Sequence, residues 1–324
     1  MLTKVDFQIA FVYILTVLSR IRPFIRLKGF CFLLYKNLLW LVYKPKRTGL
    51  FWYEDNNLGV NGGYPADFFT KFNTPEWDEV GKHIDVYLLH MVVLSKTPDS
   101  FIINDLLPYL KKHNIKLALD AEGATWTQWG GRQFLFDREY RLLSRLRQLK
   151  VPVDYICLQS SLCKTIPDKS VYSMQQRLAD IKHYQVMAKL FYENVEIGLI
   201  DANPTHQRDW EKVYTQVAET VGCDFLLLDS PYHLVKHVID ALTWYEINQV
   251  SDFTKNHGWE FGLLLTTEAG SNTEFITEVE TMQLQYNKCI PTGNSVLTSW
   301  FTYPDVTIPL ITSLISRLKM RFFK

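Results

Sequence analysis

Residues 195–229, VEIGLIDANPTHQRDWEKVYTQVAETVGCDFLLLD, contain one complete structural unit of this chain. Two short apolar runs, 195–201 and 224–229, are rich in β-forming residues, and each ends in Asp. The amphipathic run 209–221 between them is typical of a helix. A strand that is apolar at nearly every position is expected where both of its faces are buried, as in a parallel sheet. The segment therefore predicts a strand–helix–strand unit with parallel strands.

The same alternation continues in both directions from this unit. Apolar runs predict further strands at 49–53, 84–93, 115–120, 153–158, 260–266 and 295–300, and the runs between strands predict helices at 101–113, 136–149, 170–193, 234–257 and 275–287. Eight strands with helices between them, over about 260 residues, predict an α/β fold of the (β/α)8 (TIM) barrel class. An open doubly wound sheet is the alternative, because alternation alone does not show closure. The absence of GxGxxG and GxxxxGK[ST] motifs disfavours a nucleotide-binding version of that sheet.

The charges of the chain are unevenly distributed. The 35 Lys and Arg and 34 Asp and Glu residues give a formal net charge of +1. Residues 1–47 contain nine basic residues and one acid, Asp6, and residues 317–324 contain four basic residues and no acid. The body between them, 48–316, therefore has a net charge of −11. An acidic body disfavours a nucleic-acid-binding face, which needs clustered Lys and Arg.

The two ends differ in composition from the predicted barrel domain, 47–309. The N-terminal segment, 1–46, contains the apolar runs 7–19 and 29–43, each shorter than the roughly 20 residues that span a bilayer. Basic residues lie between these runs, which predicts an interfacial membrane anchor, with a packed helical cap or a signal segment as alternatives. The C-terminal segment, 310–324, predicts a basic amphipathic helix that contacts the membrane or closes the barrel. We therefore expect a membrane-associated protein, without a prediction of the side.

Acidic and aromatic residues follow the predicted strands. In barrels of this class the chemistry takes place at the carboxyl ends of the strands, and six of the eight predicted strands have Asp or Glu there. Aromatic rings stack on apolar sugar faces, and carboxylates bind hydroxyl groups or transfer protons. This pattern predicts a carbohydrate site whose substrate-binding residues are Tyr53, His90, Asp120, Trp126, Trp129, Asp229, Tyr232 and Trp300. For single residues the structural alternatives are a turn or cap for Asp229 and a core histidine for His90.

From about Leu50 to Pro304 the chain resembles glycoside-hydrolase-like (β/α)8 barrel proteins. The resemblance is carried by the strand order, by Glu268 and Trp300 after strands seven and eight, and by the stretches FWYEDNN (51–57), VYLLHMVV (86–93) and IKLALDAEG (115–123). In the large retaining clan of these barrels, strand seven carries the nucleophile and strand four the acid/base. The resemblance thus implies Glu268 as a catalytic carboxylate.

The acid/base position of that clan is not matched, because strand four ends in Leu158, Gln159 and Ser160. Gln cannot donate or accept the proton. If the chain is an active glycosidase, its acid comes from another strand, where the candidates are Asp120, Glu122, Asp201 and Asp229. Among them we predict Glu122 or Asp201 as the catalytic partner of Glu268.

Three functions are compatible with these features. The first is a glycoside-hydrolase-like barrel that binds or cleaves a polysaccharide or glycolipid sugar at a membrane surface, without a cofactor. The second is a non-catalytic sugar-binding barrel or a subunit of an envelope assembly, which Gln159 favours. The third is a metal-dependent hydrolase with His90, Asp120, Glu122 and Asp201 as ligands. No HxH follows the first strand and no HExxH is present, so we expect no metal site.

Overall fold

Eight parallel strands form a closed barrel. The computed structural model describes residues 25–42, 48–54, 68–122, 132–162, 173–202, 209–237, 242–298 and 312–318. Each strand pairs with the next along the chain, and the eighth pairs with the first through Phe51 and Ser295. The strands are β1 (Phe51–Glu54), β2 (Val86–His90), β3 (Lys116–Ala121), β4 (Tyr155–Gln159), β5 (Glu196–Ala202), β6 (Phe225–Asp229), β7 (Glu260–Leu265) and β8 (Asn294–Leu297). This closure confirms the predicted (β/α)8 barrel over the open sheet.

Helices follow or precede the strands around the outside. They are α1 (Ile25–Val42), α2 (Pro75–Gly81), α3 (Met91–Lys96), α4 (Asp99–Phe101, continuing through the π-helical turn Ile102–Leu106 into Leu107–His113), α5 (Arg132–Gln148), α6 (Met174–Phe191), α7 (Trp210–Thr220), α8 (Tyr232–His237), α9 (Trp244–Asn256), α10 (Asn272–Cys289) and α11 (312–318). Several begin at sequence-encoded caps. Ser173 with Gln176, and Thr243 with Glu246, form reciprocal capping boxes at the starts of α6 and α9.

Two predicted elements each cover parts of two separate elements in the structure. The strand predicted over 84–93 ends at His90, because the His90 ring accepts a hydrogen bond from the Val92 N–H and caps α3. The helix predicted over 234–257 is two helices, α8 and α9, since the Thr243 capping box starts a new helix inside the apolar run. Helix α2 was not predicted, although Thr74 caps it and Pro75 occupies its first turn.

Aromatic side chains fill the barrel at the amino ends of the strands. The Trp52 ring lies 4.8 Å from the Tyr155 ring and 5.8 Å from the Phe225 ring, measured between centroids. Gly198 makes room for this layer, since a Cβ there would lie 2.3 Å from both the Phe225 ring and its carbonyl oxygen. A second, larger apolar layer lies between the strands and the helices. This packed floor closes the interior below the carboxyl end of the barrel.

The C-terminal helix α11 packs on the barrel. Leu314, Ile315 and Leu318 are buried in the outer apolar layer, and the Arg317 guanidinium lies 2.7 Å from Glu280 Oε1. Over 312–318, the apolar stripe predicted for 310–324 is thus covered by the barrel, as in the barrel-closing alternative. Among the helices that the structure describes, none combines the length and the apolar character that crossing a bilayer requires.

The Gly198→Ala substitution tests the packing of the floor. The added methyl group meets the backbone of β6, which cannot move aside as a flexible side chain could, so we expect a loss of about 1–3 kcal/mol of stability. Thermal or urea unfolding measures this loss. The control is Gly270→Ala, where the nearest atom is the flexible Glu274 carboxylate at 3.3 Å; there we expect a change within about 0.5 kcal/mol. Equal stability of the two variants would contradict the assignment of Gly198 to this layer.

Candidate functional site

Polar side chains replace the apolar interior where the strands end. Along each strand, alternate residues point into the barrel, and Trp52, Leu88 and Leu227 are interior residues. Two positions further along, the interior residues are Glu54, His90 and Asp229. The same alternation places further polar residues at this end: Asp120, Gln159, Thr266 and Thr298. The carboxyl end of the barrel is therefore a mouth rich in carboxyl groups.

Glu54 and Asp120 lie deepest in this mouth. Both residues are buried, and none of their four carboxyl oxygens has a hydrogen-bond partner within the described part of the chain. Burial raises the pKa of Glu54 to about 8, against an opposing effect of the nearby Thr298 hydroxyl, and Asp229 adds to the rise. Burial also raises the pKa of Asp120 well above its ordinary value. A buried carboxyl of this kind holds a proton at neutral pH, as a general acid requires.

His90 and Glu122 lie next to Asp120. His90 is opposite Asp120 in the β2–β3 register, and its Nε2 is 3.9 Å from Asp120 Oδ2 and 3.6 Å from Glu122 Oε1. Burial alone lowers the pKa of His90, but the Glu122 and Asp120 carboxylates outweigh it and the net shift is upward. His90 Nδ1 accepts the Val92 N–H at 3.1 Å. In the neutral ring the proton is therefore on Nε2, directed at the carboxylates.

Helix α5 holds Glu122 in place through Glu139. The Glu122 N–H donates to Glu139 Oε1 at 2.8 Å, and the Tyr184 hydroxyl donates to Glu139 Oε2 at 2.8 Å. Burial raises the pKa of Glu139 to about 7 although both hydrogen bonds oppose the rise. Arg138 Nη2 lies 3.6 Å from Glu122 Oε2 and 3.8 Å from Glu139 Oε1. This arrangement fixes the backbone that carries Glu122 and places a cation beside its carboxylate.

Asp229 and Asp201 are on neighbouring strands but point to opposite sides of the sheet. Asp229 is in the mouth, and burial raises its pKa to about 7, with a further rise from the Asp201 charge. Asp201 Oδ2 accepts a hydrogen bond from the Tyr214 hydroxyl of α7 at 2.7 Å, in the layer between barrel and helices. Of the predicted site residues, the structure thus brings together Glu122, Asp120, His90 and Asp229, and places Asp201 outside them.

The remaining predicted site residues lie elsewhere. Tyr53 is buried in the outer layer, with its ring 5.5 Å from Trp77, and Tyr232 is partly buried against that layer. Glu268 has a side chain that is 69% exposed; its N–H donates to His233 Nδ1 at 2.9 Å, and its Oε2 lies 3.7 Å from His233 Nε2. Trp126, Trp129 and Trp300 are outside the described residues, so their predicted stacking role stays a prediction.

Sequence reasoning missed two residues of the mouth. Glu54 carries a signal that could have found it, because a strand that turns Trp52 into the barrel also turns Glu54 in and Tyr53 out. Glu139 carries no such signal, since it is one acid on the amphipathic helix α5 and only the packing of that helix brings it to β3.

A metal centre has little support in this mouth. Within the ranges that the structure describes, no three His, Cys, Asp or Glu side chains converge in a way that could hold a metal ion. The distances of 3.6 and 3.9 Å from His90 to its carboxylate neighbours are those of an ion pair. These residues provide no observation that supports the third hypothesis, a metal-dependent hydrolase.

Comparisons with known proteins show the fold. The chain matches no protein-family model and no curated protein sequence. Solved structures with the same architecture include D-psicose 3-epimerase from Clostridium cellulolyticum H10 with D-tagatose (TM-score 0.52, 13% identity, 85% of this chain and 99% of that one). A second is D-allulose 3-epimerase from Methylomonas sp. with D-allulose (TM-score 0.51, 13% identity, 86% of this chain and 98% of that one). A third is the GH53 catalytic domain from Ignisphaera aggregans (TM-score 0.50, 10% identity, 80% of this chain and 82% of that one). This chain is similar to them in its (β/α)8 barrel.

The Glu54→Gln substitution tests the burial of the acid. Between its ordinary pKa of 4.5 and the folded value of about 8, the folded chain keeps a proton that the unfolded chain releases. Stability must therefore fall as pH rises through this window. We expect the unfolding midpoint of the wild type to drop between about pH 5 and 8, and that of Glu54→Gln to drop less, because the amide has no proton to lose. Parallel pH dependences of the two proteins would contradict this.

Proposed function

We propose that this protein is a carbohydrate-acting barrel that cleaves a glycosidic bond at the mouth formed by the carboxyl ends of its strands. One observation carries the proposal: Glu54 and Asp120, two buried carboxyl groups whose oxygens accept no hydrogen bond from the described residues, lie beneath a third carboxylate, Glu122, which is paired with His90 and Arg138. Glycoside hydrolysis needs one protonated and one ionised carboxyl group in the same site. The mouth offers both.

In this mechanism the buried pair supplies the proton. A carboxyl group of Glu54 or Asp120 donates it to the glycosidic oxygen as the bond to the sugar C1 breaks, and the leaving sugar departs as an alcohol. Glu122 is the ionised group, which stabilises the positive charge that develops at C1. It either takes a proton from the water whose oxygen bonds to C1 and later releases that proton to solvent, or it bonds to C1 itself. In the second case water cleaves the resulting glycosyl ester, frees the Glu122 carboxylate and gives its proton to the deprotonated buried acid. His90 and Glu139 are positioning residues for Glu122. Water then restores the proton to the buried acid.

The charge of the mouth limits the substrate. Among the described residues, the cations beside the mouth are His90 and Arg138, and both pair with Glu122, so neither is free to neutralise a carboxylate or phosphate on the sugar. Neutral sugars bind through hydroxyl donors to the carboxyl oxygens, and an amino sugar gains charge pairing as well. We therefore favour neutral or amino sugars over uronic acids and phosphorylated sugars.

The fold-level comparisons support the carbohydrate class by analogy only. Two of the similar barrels are named as sugar epimerases, and one as a GH53 catalytic domain. At 10–13% identity, the activity of such a barrel has to be argued from its own site residues.

A non-catalytic sugar-binding barrel is the second candidate. Gln159 is buried at the end of β4, where the clan that the sequence resembles has its acid/base. The next residue, Ser160, has a φ of 50° and donates its N–H to the Ile200 carbonyl at 2.7 Å. The left-handed backbone shows that the chain turns sharply directly after Gln159. A barrel that binds sugar without cleaving it would keep this geometry and release no product.

Hydrolysis of a panel of neutral and amino-sugar oligosaccharides tests the proposal. On any substrate that the wild type cleaves, we expect Asp120→Asn and Glu122→Gln each to lower kcat by at least a hundredfold, because general acid–base groups contribute about 10²–10⁴-fold. The control is Asp154→Asn at the amino end of the barrel, where the side chain still accepts the Leu117 N–H and activity should stay within about twofold. Oligosaccharide binding without product release would favour the non-catalytic candidate.

The same assay tests the sequence-based assignment of Glu268. If the buried pair and Glu122 do the chemistry, Glu268→Gln keeps most of the activity, because this side chain is exposed and paired with His233. A loss of activity as large as that of Glu122→Gln would instead support Glu268, at the end of β7, as the nucleophile that the sequence resemblance implies.

The pH profile reports the protonation of the acid. Glu54, with a pKa raised to about 8 by burial, must hold or relay its proton for the acid step. We expect kcat/KM to fall as pH rises through about 8, and the position of this alkaline limb to move in Glu54→Gln. An alkaline limb unchanged by the substitution would exclude Glu54 from the acid step.

A further inference from the structure

Helix α1 is fixed to the barrel along one face. Phe32 is buried, with its ring 5.6 Å from the Tyr245 ring of α9. Lys36 Nζ donates to the Cys289 carbonyl at the end of α10 at 3.0 Å, and Lys288 Nζ donates to Asn37 Oδ1 at 2.6 Å. These contacts come from two different barrel helices, so both the position and the rotation of α1 are set. They also determine which of its side chains face away from the barrel.

The opposite face of α1 presents an outer apolar row, defined as Phe30, Leu34 and Leu38. These residues are spaced four apart, on one side of the helix, and are 64%, 51% and 41% exposed. Three of the seven large apolar residues that are exposed in the described part of the chain thus lie in a single line. Scattered exposed apolar residues are ordinary, but a contiguous row on a rigid helix indicates a contact surface.

The charges around this row identify the kind of partner. Residues 7–53 contain no Asp or Glu, while Arg20, Arg22, Arg26 and Lys28 precede the row and Lys44, Lys46 and Arg47 follow it. An apolar row between basic clusters is complementary to a surface that is apolar within and anionic at its edge, as is a bilayer with anionic headgroups. A second copy of this chain is disfavoured, because pairing two α1 helices would bring basic clusters together.

We infer that the outer apolar row of α1 lies in the interface of an anionic lipid bilayer and holds the barrel at the membrane surface. The contact is peripheral, with one helical face inserted among the headgroups and the acidic body outside. It accounts for the opposite net charges of the N-terminal segment and the barrel domain, since the basic segment faces the anionic lipid. This inference does not depend on the activity of the barrel.

Vesicle co-sedimentation of the full chain tests the inference. The probes are phosphatidylcholine vesicles and vesicles that also contain phosphatidylglycerol, at low and high salt. We expect at least tenfold stronger binding to the anionic vesicles, weakened by salt because screening reduces headgroup attraction. The triple variant Phe30→Gln, Leu34→Gln and Leu38→Gln should bind at least tenfold more weakly than the wild type, with an unchanged unfolding midpoint.

The matched control is Val186→Gln with Leu190→Gln on α6. These residues are also spaced four apart and exposed, at 53% and 63%, but no basic clusters flank them: α6 combines Arg177, Lys182 and Lys189 with Asp180, and Glu193 follows it. The control should bind vesicles as the wild type does. Vesicle binding by the triple variant as strong as that of the wild type would overturn the inference. So would light scattering that shows a dimer for the wild type and a monomer for the triple variant, because the row would then contact a second copy of the chain. Equal losses in the triple variant and the control would also overturn it, by showing that no specific face is used.

Discussion

Closure of the sheet is the constraint on which the rest of this structure depends. Pairing of β8 with β1 leaves no open edge, so the interior can hold only as many side chains as eight strands enclose. At the amino end Trp52, Tyr155 and Phe225 use that volume, and the missing side chain of Gly198 makes their packing possible. Because the floor is filled, carboxyl groups at the other end are buried against apolar atoms and not against water. Their raised pKa values follow from this closure.

The mouth brings together acidic residues that would be ordinary if they were exposed on the protein surface. Glu54, Asp120 and Asp229 belong to three strands that are distant in sequence, and each alone would be an ordinary strand-end acid. Enclosed together, they oppose one another's ionisation, which keeps a proton available at neutral pH. Glu122 differs because His90 and Arg138 lie beside it. One barrel end thus contains both the protonated and the ionised carboxyl group that sugar chemistry requires.

The N-terminal helix α1 and the mouth differ in the charged residues that surround them. In the mouth, burial raises the pKa of Glu54, Asp120 and Asp229, while His90 and Arg138 lie beside the Glu122 carboxylate. On α1, Lys36 is turned inward to a helix carbonyl, and the apolar row is left outside. The basic residues flanking that helix are opposed by a single acid of the segment, Asp6. The mouth lies at the carboxyl end of the barrel and α1 packs on its outer helices, so the carbohydrate site and the lipid contact that we propose occupy different faces.

The sequence by itself determined the fold class, since apolar strands alternating with amphipathic helices have few solutions other than a parallel barrel or open sheet. It also located Asp120, Glu122, His90 and Asp229 near one rim, because strand ends are visible where apolar runs stop. It could not choose the open or the closed sheet, because closure is a pairing between residues 51–53 and 295–297, far apart in the chain. Only the tertiary structure decided that Asp201 faces Tyr214, that Glu54 and not Tyr53 points inward, and that Glu139 reaches β3 from a helix. These are matters of side-chain direction and helix packing, which arise from contacts between distant segments and leave no local pattern.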